Sequence, residues 1–248
     1  MLWYKTWLET RSRFLTCLAT VTIFSAVFVH HALGVTNAGN SGFSQGLIRS
    51  ESKADFYRLL FVSQQYVVIM WVLAVVLLGM GGIVREKATG TSSLTLSLPV
   101  SRARLLSVRV GVGVLEAIAL GLVPWSAIFV VSSFARMPIL ISQVEFYVTL
   151  LIGGGLAYFA MAVLVSSLVE GEYTAPAVAF GVVLLAAIIF DSWLRPFNLW
   201  RLVTGDFYID RHTYLLAGDF PWRGTLASVS AAALMLLTSV KVIQKREF

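Results

Sequence analysis

The sequence predicts an all-α integral membrane protein with six transmembrane helices and both termini on the cytoplasmic side. Three observations lead there. Of 248 residues, 58% are hydrophobic and only 13% are charged, about half the charged fraction of a soluble domain, and the mean hydropathy is +0.81. The apolar residues gather into runs near 14–34, 59–83, 108–134, 146–168, 173–191 and 224–243, each close to the roughly 20 residues that cross a hydrocarbon core. The charges also fall unevenly. Lys5, Arg11, Arg13, Arg85, Lys87, Arg102, Arg104, Arg109, Lys241, Lys245 and Arg246, eleven of 19 Lys and Arg, lie on one side if the N-terminus is inside, which is the orientation the positive-inside rule favours.

The elements follow in order. Residues 1–13 carry Leu2, Trp3, Trp7 and Leu8 among charges, a spacing that predicts an interfacial helix on the inner leaflet. A cleaved leader is the weaker alternative, because the following apolar run is long and two Trp and an acid precede it. The outer loop at 35–58 is rich in Gly, Ser and Asn at its start and is expected to become helical towards Phe56 and Tyr57. The outer loop at 192–223 is amphipathic, with Trp193, Trp200, Tyr208, Tyr214 and Trp222 suited to an aromatic belt. The whole chain reads as one membrane domain, 1–248, with no repeat of solenoid period. Disorder, a disulfide-stapled domain and a sizeable soluble domain are excluded, and the net charge of +6 reads as topology signal and lipid contact, with no nucleic acid expected.

The inner segment 84–107 carries the most information. Within REKATGTSSLTLSLPVSRARLLSVR, Thr91 or Ser92 can cap a short helix that Pro99 ends, and Ser101 can cap the helix running into span three. Glu86, Gly90-Thr91 and Leu98-Pro99-Val100-Ser101-Arg102 resemble the pattern E-x(3)-G-T followed by L-P-V-S-R of ABC-2 type exporter permeases. That resemblance implies a coupling helix, to which Glu86, Gly90, Thr91, Pro99 and Arg102 would belong, docking on a separate ATP-binding subunit. It further implies two copies of that subunit, ATP and Mg held there with no cofactor on this chain, and a second permease copy or a related permease completing the translocation path. The expected location is the inner (cytoplasmic) membrane of a bacterial cell. Arg109 stands where many members of the family have Lys. The sequence has no G-x(4)-G-K-[ST] loop and no Gly-Lys pair, so ATP hydrolysis is expected on the partner and this chain is not expected to be an enzyme.

Within the spans, Glu116 lies about eight residues, or about 12 Å, into span three. A lone charge at that depth costs several kcal/mol, so Glu116 should face a partner or a cavity or be protonated, either as part of a translocation path or transmission element or in an interhelical hydrogen bond to a Ser or Thr. Gly113, Ala117 and Gly121 form a small-xxx-small row suited to close helix approach, and Pro124 and Pro176 are candidates to bend spans three and five. Constellations that resemble catalysis are weaker. Gly42-Phe43-Ser44-Gln45-Gly46 matches a nucleophile elbow but lies in a loop without the strand and helix that motif needs. His30, His31 and His212 lack metal-site spacing, and the lone Cys17 allows no thiolate cage. A carrier or scaffold without an ATPase is the rival reading, and an intramembrane hydrolase a more distant one.

Overall fold

A computed structural model describes residues 2–39, 48–80, 102–169, 174–192, 198–206, 210 and 220–245. Among these the chain is all-helical: α1 Leu2–Gly39, α2 Ile48–Val62, α3 Gln65–Gly79, α4 Arg102–Phe134, α5 Ile141–Leu168, α6 Thr174–Ser192, α7 Leu199–Thr204 and α8 Trp222–Lys245. Five stretches are long and apolar enough to cross a membrane: 2–34, 55–79, 107–134, 141–168 and 222–244. The fifth expected span coincides with α6, which at 19 residues is shorter than any of these five.

The N-terminal segment departs from expectation. No boundary separates an interfacial helix at 1–13 from the first span, because α1 continues through Arg11 and Arg13 without a break. The reason is a buried stripe at helical period: Thr6, Cys17, Val21, Ser25, Val29 and Ala32 all lie in the buried class, with Thr10 and Arg13 half-buried between them. One helix can bury that stripe along its whole length, whereas a bend at residue 13 would divide it. The second span differs as well. It starts at Asp55 and is interrupted at Ser63 and Gln64, where α2 ends and α3 begins.

The helices fall into two opposed sets. Trp3 lies over Gly111 and Thr10 bonds Glu116, so α1 and α4 run parallel. Trp71 reaches Gly155 and Gly79 meets Ala162, so α3 and α5 run parallel, and Gly153 against Thr225 with Gly154 against Ser228 gives α8 the direction of α5. The sets oppose each other. Cys17 on α1 contacts the Ala74 carbonyl on α3, and Gly113, Gly121 and Trp125 on α4 meet Phe159, Ile152 and Tyr147 on α5 in descending order. The start of α1, the end of α3, the start of α4 and the end of α8 therefore share one side, where Ile243 packs with Leu105 and Val110.

The core is organised on α5. At Gly153, an added Cβ would lie 2.2 Å from the Thr225 methyl, at Gly154 2.6 Å from Val203, and at Gly155 1.9 Å from the Trp71 ring. Three successive glycines thus admit α8, α7 and α3 to the α5 backbone, where Ser228 also donates to the Gly154 carbonyl at 3.0 Å. The small-xxx-small row on α4 serves the same end, with Phe159 beside Gly113, Ala117 buried, and Ile152 beside Gly121. Pro124 lies inside α4. Pro176 falls in the first turn of α6, where its missing N–H has no intrahelical partner to lose, so it starts that helix and does not bend it.

Around the α2–α3 break, Phe61, Trp125 and Tyr147 stack, the last two with ring centroids 4.1 Å apart. Gln64, 2% exposed, donates to the Thr204 carbonyl and to the Tyr147 hydroxyl. Thr204 closes α7, whose start is capped by the Asn198 side chain accepting from the Arg201 N–H and whose end is Gly205 at φ 70°, the left-handed conformation glycine adopts without strain. This short helix lies inside the expected outer loop 192–223, of which residues 192, 198–206, 210 and 220–223 are described.

Because the Gly155 site has no room for a Cβ, Gly155→Val is expected to destabilise the protein by about 3 kcal/mol, at the upper end of overpacking costs. Gly181→Ala, where nothing lies within 4 Å, is expected to leave stability unchanged or slightly raised. Thermal unfolding of the two variants in one detergent checks both.

Candidate functional site

The functional candidates divide between two places. Glu86, Gly90, Thr91 and Pro99 lie outside the described residues, as do the nucleophile-elbow pattern and His212. Arg102 is the first residue of α4. It therefore marks where the 84–107 segment becomes helix, six residues earlier than the expected start of span three. Glu116 lies inside α4 and is 4% exposed, the one carboxylate in the buried class among the described residues.

Glu116 belongs to a polar seam between α1 and α4. The Thr10 hydroxyl donates to the Glu116 carboxylate, and Arg13, one turn further along α1, acts on it electrostatically. Towards the start of both helices, Arg109 Nη2 donates to Glu9 Oε2 at 3.1 Å, and Lys5 Nζ stands 3.8 Å from the other Glu9 oxygen. Glu9, Thr10 and Arg13 share one face because residues three and four apart are neighbours on a helix. Arg109 and Glu116, seven apart, likewise share a face of α4. The seam thus stacks an ion pair near the end of the helices and a hydrogen-bonded carboxylate about 10 Å deeper.

Exposure decides what each pair contributes. Arg109 and Glu9 are 14% and 38% exposed, so their pair retains solvent contact and its stabilisation is modest. Glu116 is enclosed, and leaving its carboxylate without a partner there costs far more than the hydrogen bond returns. The burial of Glu116 therefore fixes the rotation of α1 on α4. The Gly111 site works with it, since a Cβ there would meet the Trp3 ring at 2.8 Å.

The expectation that Glu116 needs a partner is met by Thr10. The missed residues are Glu9, Thr10 and Arg13. Their signal is a polar 9-10-13 face continuous with the apolar face at Cys17 and Val21, beside the more conspicuous aromatic face at Trp3 and Trp7. That face is substantially exposed, with Trp3 at 51% and Trp7 at 36%. His30 and His31 are exposed at the far end of α1, and no group of three His, Cys, Asp or Glu suited to a metal occurs among the described residues. Cys17 is buried and in no disulfide.

A double-mutant cycle on Thr10→Val and Glu116→Leu should give a coupling of about 1 kcal/mol, the scale of interhelical hydrogen bonds in membranes, read from unfolding in denaturant. The same cycle on Glu9→Gln and Arg109→Gln should give about 0.5 kcal/mol and fall with added salt.

Neither a known family model nor a curated protein matches this sequence.

Proposed function

We propose that this chain is the membrane permease of an ATP-driven exporter of the ABC-2 type, with six crossings, both termini inside, and a coupling segment at 84–107 that meets a separate ATP-binding subunit. One observation carries the reading: the helix ends that flank the motif-bearing segment, at Met80 and Arg102, lie on the same side as the start of α1, and the Glu9–Arg109 and Thr10–Glu116 contacts bind that start to α4. A push on the segment would be delivered to α1 and α4 together. Two such chains, or this chain with a related one, would enclose the path, and ATP and Mg would be held by the two partner subunits.

Helix direction supports the sixth crossing. Since α5 and α8 run the same way, a return crossing between residues 168 and 222 would complete the topology, and α6 is an apolar helix in that interval. At 19 residues it is about 28 Å long, close to the hydrocarbon thickness of about 30 Å. Six crossings bring the basic C-terminal end of α8, with Lys241, to the side of Lys5 and Arg109. That distribution agrees with an inner location for both termini.

A carrier driven by an ion gradient is the second reading, and the burial of Glu116 is what favours it. The bond to Thr10 and the field of Arg13 weigh on the other side, because they occupy the carboxylate in a structural contact.

The deciding experiment co-expresses the tagged chain with its genomic neighbours and purifies it in mild detergent. An ATP-binding subunit should co-purify in stoichiometric amount. Glu86→Ala with Arg102→Ala should reduce its retention by about tenfold, a loss of about 1.4 kcal/mol in binding, while the unfolding temperature stays unchanged. A chain that purifies alone and supports no ATPase activity would overturn the proposal in favour of the carrier.

A further inference from the structure

At the deeper end of the polar seam, acceptor oxygens outnumber the protons available to them. Thr10 has one hydroxyl proton, and three oxygens lie within its reach: a carboxylate oxygen of Glu116, the Thr6 carbonyl at 3.2 Å and the Trp7 carbonyl at 3.4 Å. With Glu116 ionised, that proton goes to the carboxylate, because a charged acceptor makes the stronger bond. With a proton on Glu116 the same atoms form a chain in one direction. The acid O–H donates to the Thr10 oxygen, and the Thr10 hydroxyl donates to the Thr6 carbonyl, since a hydroxyl accepts as well as donates. Both forms are hydrogen-bonded, and α1 stays seated on α4 in either.

We propose that Glu116 is a reversible proton-binding site between α1 and α4. The groups around it set opposite preferences. A charge enclosed among membrane helices is costly, and Glu116 is 4% exposed, which favours the acid. The Arg13 guanidinium acts on Glu116 from α1 and favours the carboxylate. Cys17, one turn beyond Arg13, is the other titratable side chain of α1 within the field of Glu116. The remaining charges stand towards the start of the two helices, where Lys5, Glu9 and Arg109 pair with one another, and Lys241 of α8 is exposed on that side. The other packed helices bring no charge to this depth. α3 holds no charged residue and has Tyr66 at its far end, while α5 has Glu145 near its opposite end and Tyr158 beside the Phe159 that covers Gly113. One cation set against an apolar enclosure leaves Glu116 able to change charge at an accessible pH. The inference is independent of any ATP-binding partner, so the co-purification above can fail while proton binding holds, and the reverse.

The test is infrared difference spectroscopy of the full chain in nanodiscs, stepped between about pH 5 and about pH 9, above the ordinary glutamate value. The carbonyl band of an enclosed carboxylic acid should appear on acidification, vanish in Glu116→Gln and change frequency in Glu116→Asp. Glu116→Gln keeps an N–H that can donate to Thr10, so it imitates the acid form and retains the seam. Thr10→Val removes the partner of both forms, and the charged form loses more. Its proton should therefore bind about tenfold more tightly, moving the midpoint up by about one pH unit, an effect that a purely structural Glu116 would not show. A Glu116 band present at every pH, absent at every pH, or with a midpoint unmoved in Thr10→Val overturns the proposal.

Discussion

The contact on which the rest of the structure depends is the approach of three helices to the α5 backbone at Gly153, Gly154 and Gly155. In lipid, helices gain little from burying apolar side chains against one another, so association rests on close packing and on hydrogen bonds that the bilayer cannot supply. The glycines provide both. They remove the side chains that would hold α3, α7 and α8 away, and they bring the Gly154 carbonyl within reach of Ser228. With α5 as the common partner, the positions of Trp71, Val203 and Thr225 are set relative to each other even though those residues sit on different helices. The α4 row at Gly113, Ala117 and Gly121 extends the arrangement to a fourth neighbour, and α4 in turn carries α1.

The attachment of α1 is chemically different. Its surface is mostly turned away from the other helices, with only 22% of its most apolar window buried, and what holds its first half is the polar seam to α4. Apolar contact and polar seam therefore divide the molecule into a packed centre around α5 and a lateral helix held by the seam in its first half and by the buried stripe at Val21, Ser25, Val29 and Ala32 in its second. Beside that stripe, Val27 and Phe28 leave a groove against Leu59 and Ser63.

Much of this was legible from the residues. Composition and the length of the apolar runs led to the helical membrane class, and several boundaries lie within a few residues of those read from the runs, as at Phe134 and Leu168. The depth of Glu116 implied a partner, and the spacing of Gly113, Ala117 and Gly121 implied a close neighbour. The identity of each neighbour was not legible, because the same row would suit any apolar helix. The break at Ser63 and Gln64 carried no glycine or proline to mark it. There Gln64 donates its side-chain amide to Thr204 and Tyr147, residues 140 and 83 positions away, which local sequence cannot announce. The continuous α1 was obscured for a related reason: Arg11 and Arg13 resemble the end of a span until Glu116 is known to lie opposite.

Gln64 also constrains how the second span can deform. Its side-chain amide crosses from the junction of two helical segments to the last carbonyl of α7, so the angle between α2 and α3 is recorded in the position of a third element. Bending at the junction would strip the Thr204 carbonyl of a donor in an enclosed setting, a cost of about 1–3 kcal/mol, and straightening restores it in one step. The junction between α2 and α3 is therefore tied to the end of α7 by a side chain, in addition to the contact that α3 and α7 share through Gly154 and Gly155 of α5.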